Sequence, residues 1–269
     1  MKTTLILTVF MICFAGSAGA ADQPNIVLIF ADDLGWKDVG YNNESGFIET
    51  PNLDRMKREG MIFPQAYAAA GNCAPSRACL LSGKYGGRHG VYAVGSTDRG
   101  PKQEFRLNPV PNTPHLSPEF VTMAEALKAQ GYVSGHFGKW HLGSADKGTG
   151  PQQQGFDVSP PDLIATGEAD PDDESASGRK RGKAQGQTRP ENPKKIESIT
   201  DAACAFMTEH KARPFFAFVS HHAVHSPLKA RPESTSIYIP LSSLHLAARQ
   251  RLTLMAKTCF PYSPTLPSP

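Results

Sequence analysis

The chain lacks several features that would assign a function class directly. Its 269 residues carry a formal net charge of +3, and no basic stripe is interleaved with aromatic residues, so nothing points to a nucleic-acid partner. No apolar run reaches the roughly 18 residues that a membrane-spanning helix needs. The five cysteines include no close C-x-x-C pair, which leaves a zinc ribbon without support. No internal repeats are present.

The N-terminus has the pattern of a secretory signal peptide over residues 1–20. Lys2 supplies a positive start, Leu5 to Phe14 an apolar core, and Ala18 to Ala20 a small-residue cleavage site. The pattern predicts a secreted or periplasmic protein that has no membrane attachment after cleavage. Residues 21–231 then form the main predicted domain, and the composition of residues 232–269 differs from it.

Short apolar runs alternate with helical patterns after this leader, which predicts an α/β fold. Continuous runs of branched and aromatic residues are typical of strands buried on both faces. Strands are predicted at 25–30, 132–137 and 214–220. Helices are predicted at 51–60, 74–82, 120–130 and 196–211. Loops are predicted at 95–118 and 157–195.

Asp32 and Asp33 directly follow the first predicted strand. Ligands gather at the carboxyl ends of strands in open α/β sheets, and two adjacent carboxylates repel each other unless a cation lies between them. Carboxylate oxygens suit a hard cation such as Ca²⁺. An acidic turn after a strand has the same residues, so the pair alone leaves both interpretations open.

Cys73-Ala74-Pro75-Ser76-Arg77 opens the second predicted helix. A cysteine at a helix start can be a thiol with a lowered pKa. Arg77 lies one turn after Cys73, so the two share a helix face. A guanidinium there can hold an oxyanion with several donors, or it can form a salt bridge on the helix surface.

Gly138-Lys139-Trp140-His141-Leu142-Gly143 follows the second predicted strand. Alternation along an extended segment puts Lys139 and His141 on one side and Trp140 on the other. An ammonium and an imidazole that converge on one point suit a charged oxyanion and its leaving group. A solvated lysine beside a loop histidine is the alternative.

His221, His222 and His225 follow the third predicted strand. Three histidines so close together can mark a zinc site, although no carboxylate or cysteine lies nearby in sequence to complete one. We expect structural roles for His221 and His222.

These segments together resemble the sulfatase family, in its arylsulfatase A-type branch. The resemblance covers roughly residues 24–228 and rests on a few strings, which are Pro24 to Gly35, Thr50 to Asp54, Cys73 to Arg77 with Leu80 to Gly83, Gly138 to Gly143, and His225-Ser226-Pro227. It implies an alkaline-phosphatase-like fold, a mixed β-sheet sandwiched between helices. Related phosphatases use Ser or Thr as the nucleophile and lack the cysteine string.

The resemblance implies two cofactors. Cys73 is expected to be converted by a formylglycine-generating enzyme into an aldehyde, whose hydrate attacks sulfur. Asp32 and Asp33 are expected to hold Ca²⁺, with the modified Cys73 completing this part of the metal site. With Cys73 modified, Cys79, Cys204 and Cys259 allow at most one disulfide.

The resemblance also implies roles for the basic residues. Arg77 steadies the hydrated aldehyde and its sulfate ester, and Lys139 contacts both sulfate and the hydrate. His141 handles a proton on that hydrate. His225 is a candidate sulfate ligand and the general acid for the leaving oxygen.

The sequence departs from the family after His225. The family is usually much longer, and neither its second metal-binding strand end nor its further sulfate-contacting lysine is found there. Residues 232–269 look like an unrelated or out-of-frame tail. We therefore expect an aryl or carbohydrate sulfatase with weak or no activity in this chain. There are two alternatives. The chain is an inactive fragment or pseudoenzyme, or it is a secreted module that binds sulfated glycans without cleaving them.

Overall fold

A computed structural model describes residues 23–43, 45–98, 100–164, 192–225 and 252–258. The predicted signal peptide, most of the predicted loop at 157–195 and most of the tail at 232–269 lie outside these residues. Within them, no helix combines the length and the apolar character needed to cross a membrane.

The described strands form one sheet with the order β2-β3-β1-β4. The strands are β1 (Asn25–Asp32), β2 (Val133–Gly138), β3 (Phe215–Val224) and β4 (Leu252–Thr258). All three neighbouring pairs are parallel. The three predicted strands are confirmed, and the continuous apolar runs in β1 and β3 are explained because parallel strands are buried on both faces.

The described α-helices confirm the predicted helical segments and add one short α-helix. They are α1 (Pro51–Glu59), α2 (Cys73–Ser82), α3 (Gly86–His89), α4 (Met123–Lys128) and α5 (Ile196–Glu209). Helix α4 is shorter than the predicted helix at 120–130, because Thr122 and Glu125 form a capping box that starts it at Met123.

Helices cover both faces of the sheet, as the α/β prediction requires. On one face, Leu28 and Phe218 pack in a cluster with Ala74 and Ala78 of α2. On the other face, Val27 and Val219 pack with α5 residues that include Ile199, Ala203, Phe206 and Met207. These α5 residues form the face of the helix that covers the sheet.

The carboxyl ends of β1, β2 and β3 meet at one edge of the sheet. Gly138 is paired with Ser220, and Ser220 is also paired with Phe30 of β1. Strand β3 continues past its apolar run to Val224. The expectation that His221 and His222 follow this strand is therefore wrong, because the parallel ladder continues through polar residues.

Gly138 permits an unusually close approach between β2 and β3. Its φ is +111°, and a Cβ there would lie 2.0 Å from the carbonyl oxygen of Ser220. Gly131 also has a positive φ, of +85°, but nothing lies within 4 Å of its missing Cβ. Of these two glycines, Gly138 is therefore the one required by both conformation and space.

We expect Gly138→Ala to lower the free energy of unfolding by about 3–5 kcal/mol, because backbone strain adds to a clash in the sheet. Gly131→Ala, the matched control, should cost about 1–2 kcal/mol from strain alone. Urea denaturation of both variants measures the difference. Equal losses would contradict the close approach at Gly138.

Candidate active site

Five of the predicted site residues meet at the carboxyl edge of the sheet, namely Asp32, Cys73, Arg77, Lys139 and His141. Asp32 ends β1, Cys73 begins α2, and Lys139 and His141 lie just beyond β2. Helix α2 begins beside these strand ends because its apolar residues pack on the sheet face below them. Trp140 points the other way into the core, where it is almost fully buried. The alternation predicted for this string is confirmed.

Asp32 is the centre of a buried charge cluster. Its side chain is inaccessible to solvent, and its two oxygens face Arg77 Nη2 at 3.3 Å and the Lys139 ammonium. Burial raises the pKa of Asp32, but the positive charges of Arg77 and Lys139 outweigh burial and hold the pKa well below its ordinary value. Asp32 is therefore a carboxylate, and the cluster carries one net positive charge.

Arg77 is a buried residue that joins three parts of the site. Its Nη1 donates to the Lys139 carbonyl oxygen at 2.7 Å and to the Ser220 hydroxyl. Its guanidinium carbon lies 4.8 Å from the centre of the Phe30 ring, a cation–π distance. The alternative of a salt bridge on the helix surface is wrong, since the side chain is nearly inaccessible to solvent.

Cys73 lies against His141, with 3.2 Å between Sγ and Nδ1. Burial raises the pKa of the Cys73 thiol, and the charge of Lys139 only partly opposes this. The alternative of a helix-start thiol with a lowered pKa is therefore wrong. Burial, followed by the charges of Lys139 and Arg77, lowers the pKa of His141 to about 3. His141 is a neutral imidazole that can accept a proton.

The remaining two predicted residues, Asp33 and His225, lie at the outer side of the cluster. His225 Nε2 is 3.6 Å from Asp33 Oδ2, and the Asp33 side chain is 47% exposed. The His222 ring lies beside that of His225, tilted by 40° with 5.1 Å between ring centres. Its proximity to His141 contributes to the lowered pKa of that residue. His225 therefore lies on the solvent side, where a leaving group could depart.

Two residues at this edge were not predicted as part of the site. Ser220 donates to the Lys139 carbonyl oxygen at 2.8 Å, and His136 Nε2 lies 3.3 Å from the same oxygen. Period-two alternation puts Ser220 on the face of Phe216 and Phe218, which packs on α2. That alternation could have identified Ser220, but no sequence pattern pointed to His136.

His221 is a buried histidine whose ring nitrogens have no hydrogen-bond partner among the described residues. Burial lowers its pKa from 6.5 to about 4. The unfolded chain therefore binds a proton more readily than the folded chain between these values, and stability falls as the pH falls through this window.

We expect His221 alone to remove about 2 kcal/mol of unfolding free energy between pH 7.5 and pH 5. Replacing it with Phe should flatten that part of the pH dependence. Urea denaturation at pH 7.5, 6 and 5 measures the slope, and His115→Phe at a half-buried position serves as the control. An unchanged slope in His221→Phe would contradict the assignment.

The described residues include carboxylate oxygens, the ligand type that calcium prefers, but too few of them to form a calcium site. Asp32 and Asp33 are adjacent carboxylates, but Arg77 and Lys139 already occupy the Asp32 oxygens. The described part of the chain has no group of three or more His, Cys, Asp or Glu side chains placed to hold a metal ion. A cation that takes six or more oxygens needs further ligands, so calcium binding by Asp32, Asp33 and the modified Cys73 stays a prediction.

Comparison with known proteins assigns the chain that carries this site to a family. The family model described as Sulfatase matches residues 24–238. The chain belongs to the sulfatase family. That match spans β1 to β3, the buried charge cluster and the Cys73–His141 pair, so the sulfatase resemblance carried by the sequence strings is confirmed.

Individual sulfatases resemble parts of the chain. N-acetylgalactosamine-6-sulfatase from Mus musculus is 46% identical over 143 residues, which cover 52% of this chain and 26% of that protein. Arylsulfatase G from Mus musculus is 44% identical over 140 residues, covering 51% of this chain and 23% of that protein. The chain thus matches about a quarter of the length of these curated relatives.

Solved structures confirm the fold. The crystal structure of Ps i-CgsB has a TM-score of 0.57 and 29% identity, covering 79% of this chain and 48% of its own. The PsFucS1 sulfatase from Pseudoalteromonas sp. has a TM-score of 0.63 and 21% identity, covering 90% of this chain and 56% of its own. The second similarity concerns the fold alone.

Proposed function

We propose that this sulfatase-family chain hydrolyses sulfate esters of aryl or carbohydrate substrates through a formylglycine derived from Cys73. The observation that carries the proposal is the placement of Cys73 Sγ against His141 Nδ1, at 3.2 Å, beside a buried cluster with net positive charge. Such a site offers a nucleophile position, a base and a place for an anion at one edge of the sheet.

The chain's own residues would prepare the site for a sulfate group. Lys139 and Arg77 are held by Asp32, so their positive charges are fixed before substrate arrives and need little reorganisation. The aldehyde hydrate at position 73 supplies the oxygen nucleophile. His141, neutral and in contact with position 73, would accept a proton there.

His225 is the proposed proton donor to the leaving oxygen. Its Nε2 lies 3.6 Å from Asp33 Oδ2, and its side chain is partly open to solvent. Calcium, when bound, would add a Lewis acid for the sulfate oxygens. No step above depends on it, because the described residues supply only part of its shell.

The relatives support sulfated carbohydrates and aryl sulfates as substrate classes. Two of them are named for N-acetylgalactosamine 6-sulfate and aryl sulfate substrates, and Ps i-CgsB has been solved in complex with k-i-k-neocarrahexaose. We infer that the chain is exported to the periplasm or beyond the cell, and that a formylglycine-generating enzyme matures Cys73.

Sulfate release tests this function. The chain is co-expressed with a formylglycine-generating enzyme, supplied with Ca²⁺ and assayed with an aryl sulfate and the matching aryl phosphate, with Cys73→Ala as the control. We expect release from the sulfate ester that disappears in the control. Absence of release from matured protein, or release that persists in Cys73→Ala, would contradict the proposal; binding without release would favour a glycan-binding module.

A further inference from the structure

The main-chain carbonyl of Lys139 accepts hydrogen bonds from three buried side chains. Arg77 Nη1 lies 2.7 Å from this oxygen, Ser220 Oγ 2.8 Å and His136 Nε2 3.3 Å. The Lys139 N–H donates to the Ser220 carbonyl oxygen at 2.8 Å. The backbone that carries the Lys139 ammonium is therefore fixed on both sides.

The contacts of His136 determine its tautomer. A carbonyl oxygen only accepts hydrogen bonds, so Nε2 must carry the proton. Nδ1 lies 3.2 Å from the Ser159 hydroxyl and accepts a hydrogen bond from it. Burial lowers the pKa of His136 to about 3, so the ring is neutral, as one donor and one acceptor require.

Aromatic side chains also surround the His136 ring. Trp140, Phe156 and Phe218 meet it edge to face, with ring centres 5.2 to 5.6 Å away. The ring is inaccessible to solvent. His136 is thus a rigid donor aimed at the Lys139 carbonyl, and its hydrogen bonds and ring contacts described above involve neither Cys73 nor Asp32.

We propose that His136, oriented by Ser159, is a positioning residue for the sulfate-binding charges, acting through the Lys139 carbonyl that it shares with Arg77. Loss of its donor removes one of the three hydrogen bonds that hold the Lys139 carbonyl oxygen and so loosens this peptide. Lys139 and Arg77 then lose their fixed placement beside position 73, where an error of about 1 Å can cost up to a hundredfold in rate.

The first readout of this proposal does not require turnover. In protein expressed without the maturation enzyme, Cys73 is alkylated with anionic iodoacetate and with neutral iodoacetamide, and the products are quantified on the Cys73 peptide by mass spectrometry. The ratio of the two rate constants cancels the thiolate fraction and reports the positive field at Cys73.

Three variants separate positioning from packing. His136→Phe keeps an aromatic ring but loses the donor, and we expect the alkylation ratio to fall about threefold or more. His136→Gln can place an amide N–H at the same oxygen and should keep the ratio within about twofold. Phe156→Leu disturbs the packing around His136 while leaving its donor intact, and should also keep the ratio.

The second readout is kinetic and rests on the proposed function. In matured protein, His136→Phe should lower kcat for an aryl sulfate about tenfold, and His136→Gln should restore most of it.

If wild-type protein releases no sulfate, the proposed function fails while the alkylation ratio still tests the positioning role. If His136→Phe does not fold, Ser159→Ala replaces it and should lower the ratio in the same direction. An unchanged alkylation ratio in folded His136→Phe, or in Ser159→Ala where His136→Phe does not fold, would overturn the proposal.

Discussion

Asp32→Asn is expected to lower the free energy of unfolding by about 3–5 kcal/mol, because it leaves two buried cations without their counter-ion. Arg77 and Lys139 both contact the Asp32 carboxylate, and all three side chains are nearly inaccessible to solvent. An amide cannot neutralise either charge. Urea denaturation at neutral pH measures the loss.

Asp33→Asn is the matched control for this prediction. It makes the same chemical change one residue later, but the Asp33 side chain is 47% exposed and faces His225 at 3.6 Å. A partly exposed pair contributes about 0–1 kcal/mol, so Asp33→Asn should leave stability almost unchanged. Similar losses of unfolding free energy in the two variants would contradict the prediction that the buried charge cluster makes Asp32 the more important carboxylate.

His141→Asn is expected to lower the turnover of matured protein by about 10²–10⁴-fold, the usual contribution of a positioned general base. Asparagine can keep a polar atom near the place of Nδ1, which lies 3.2 Å from Cys73 Sγ, but its amide cannot accept the proton. Steady-state kinetics with an aryl sulfate measures the loss, and stability should change far less than in Asp32→Asn.

The pKa of His141 and a control variant bear on its proposed role as a base. The low pKa of His141, about 3, means that lowering the pH from 7 to 5 leaves this base neutral. His115→Asn, at a half-buried position outside the described cluster, should retain full turnover. Turnover of His141→Asn within tenfold of wild type would rule out His141 as the base.

The edge of the sheet that holds the site could be predicted from sequence because parallel strands end together. Asp32 follows a continuous apolar run and Lys139 follows a predicted strand of mixed composition, and the end of each segment marks the carboxyl end of a strand. The family resemblance then supplied the roles of Cys73 and Arg77. The convergence of Asp32 and Lys139 follows from this simple topology.

The missed features depend on tertiary contacts that leave a weak sequence signal. His221 and His222 extend β3 because β1 offers a ladder beyond the apolar run. No sequence pattern identified His136, because its Nε2 contacts the main-chain oxygen of Lys139, three residues away, and side-chain patterns do not encode such a contact. The Thr122–Glu125 capping box is visible in the sequence and would have corrected the start of α4.

The central claim is that position 73, once converted to the aldehyde, is the nucleophile of this site. Its most direct test measures sulfate release in preparations that differ in the fraction of Cys73 converted, with that fraction determined on the Cys73 peptide by mass spectrometry. The account predicts a rate proportional to the converted fraction, with no release from unconverted protein. Release that is independent of conversion, or equal release from unconverted chains, would contradict it.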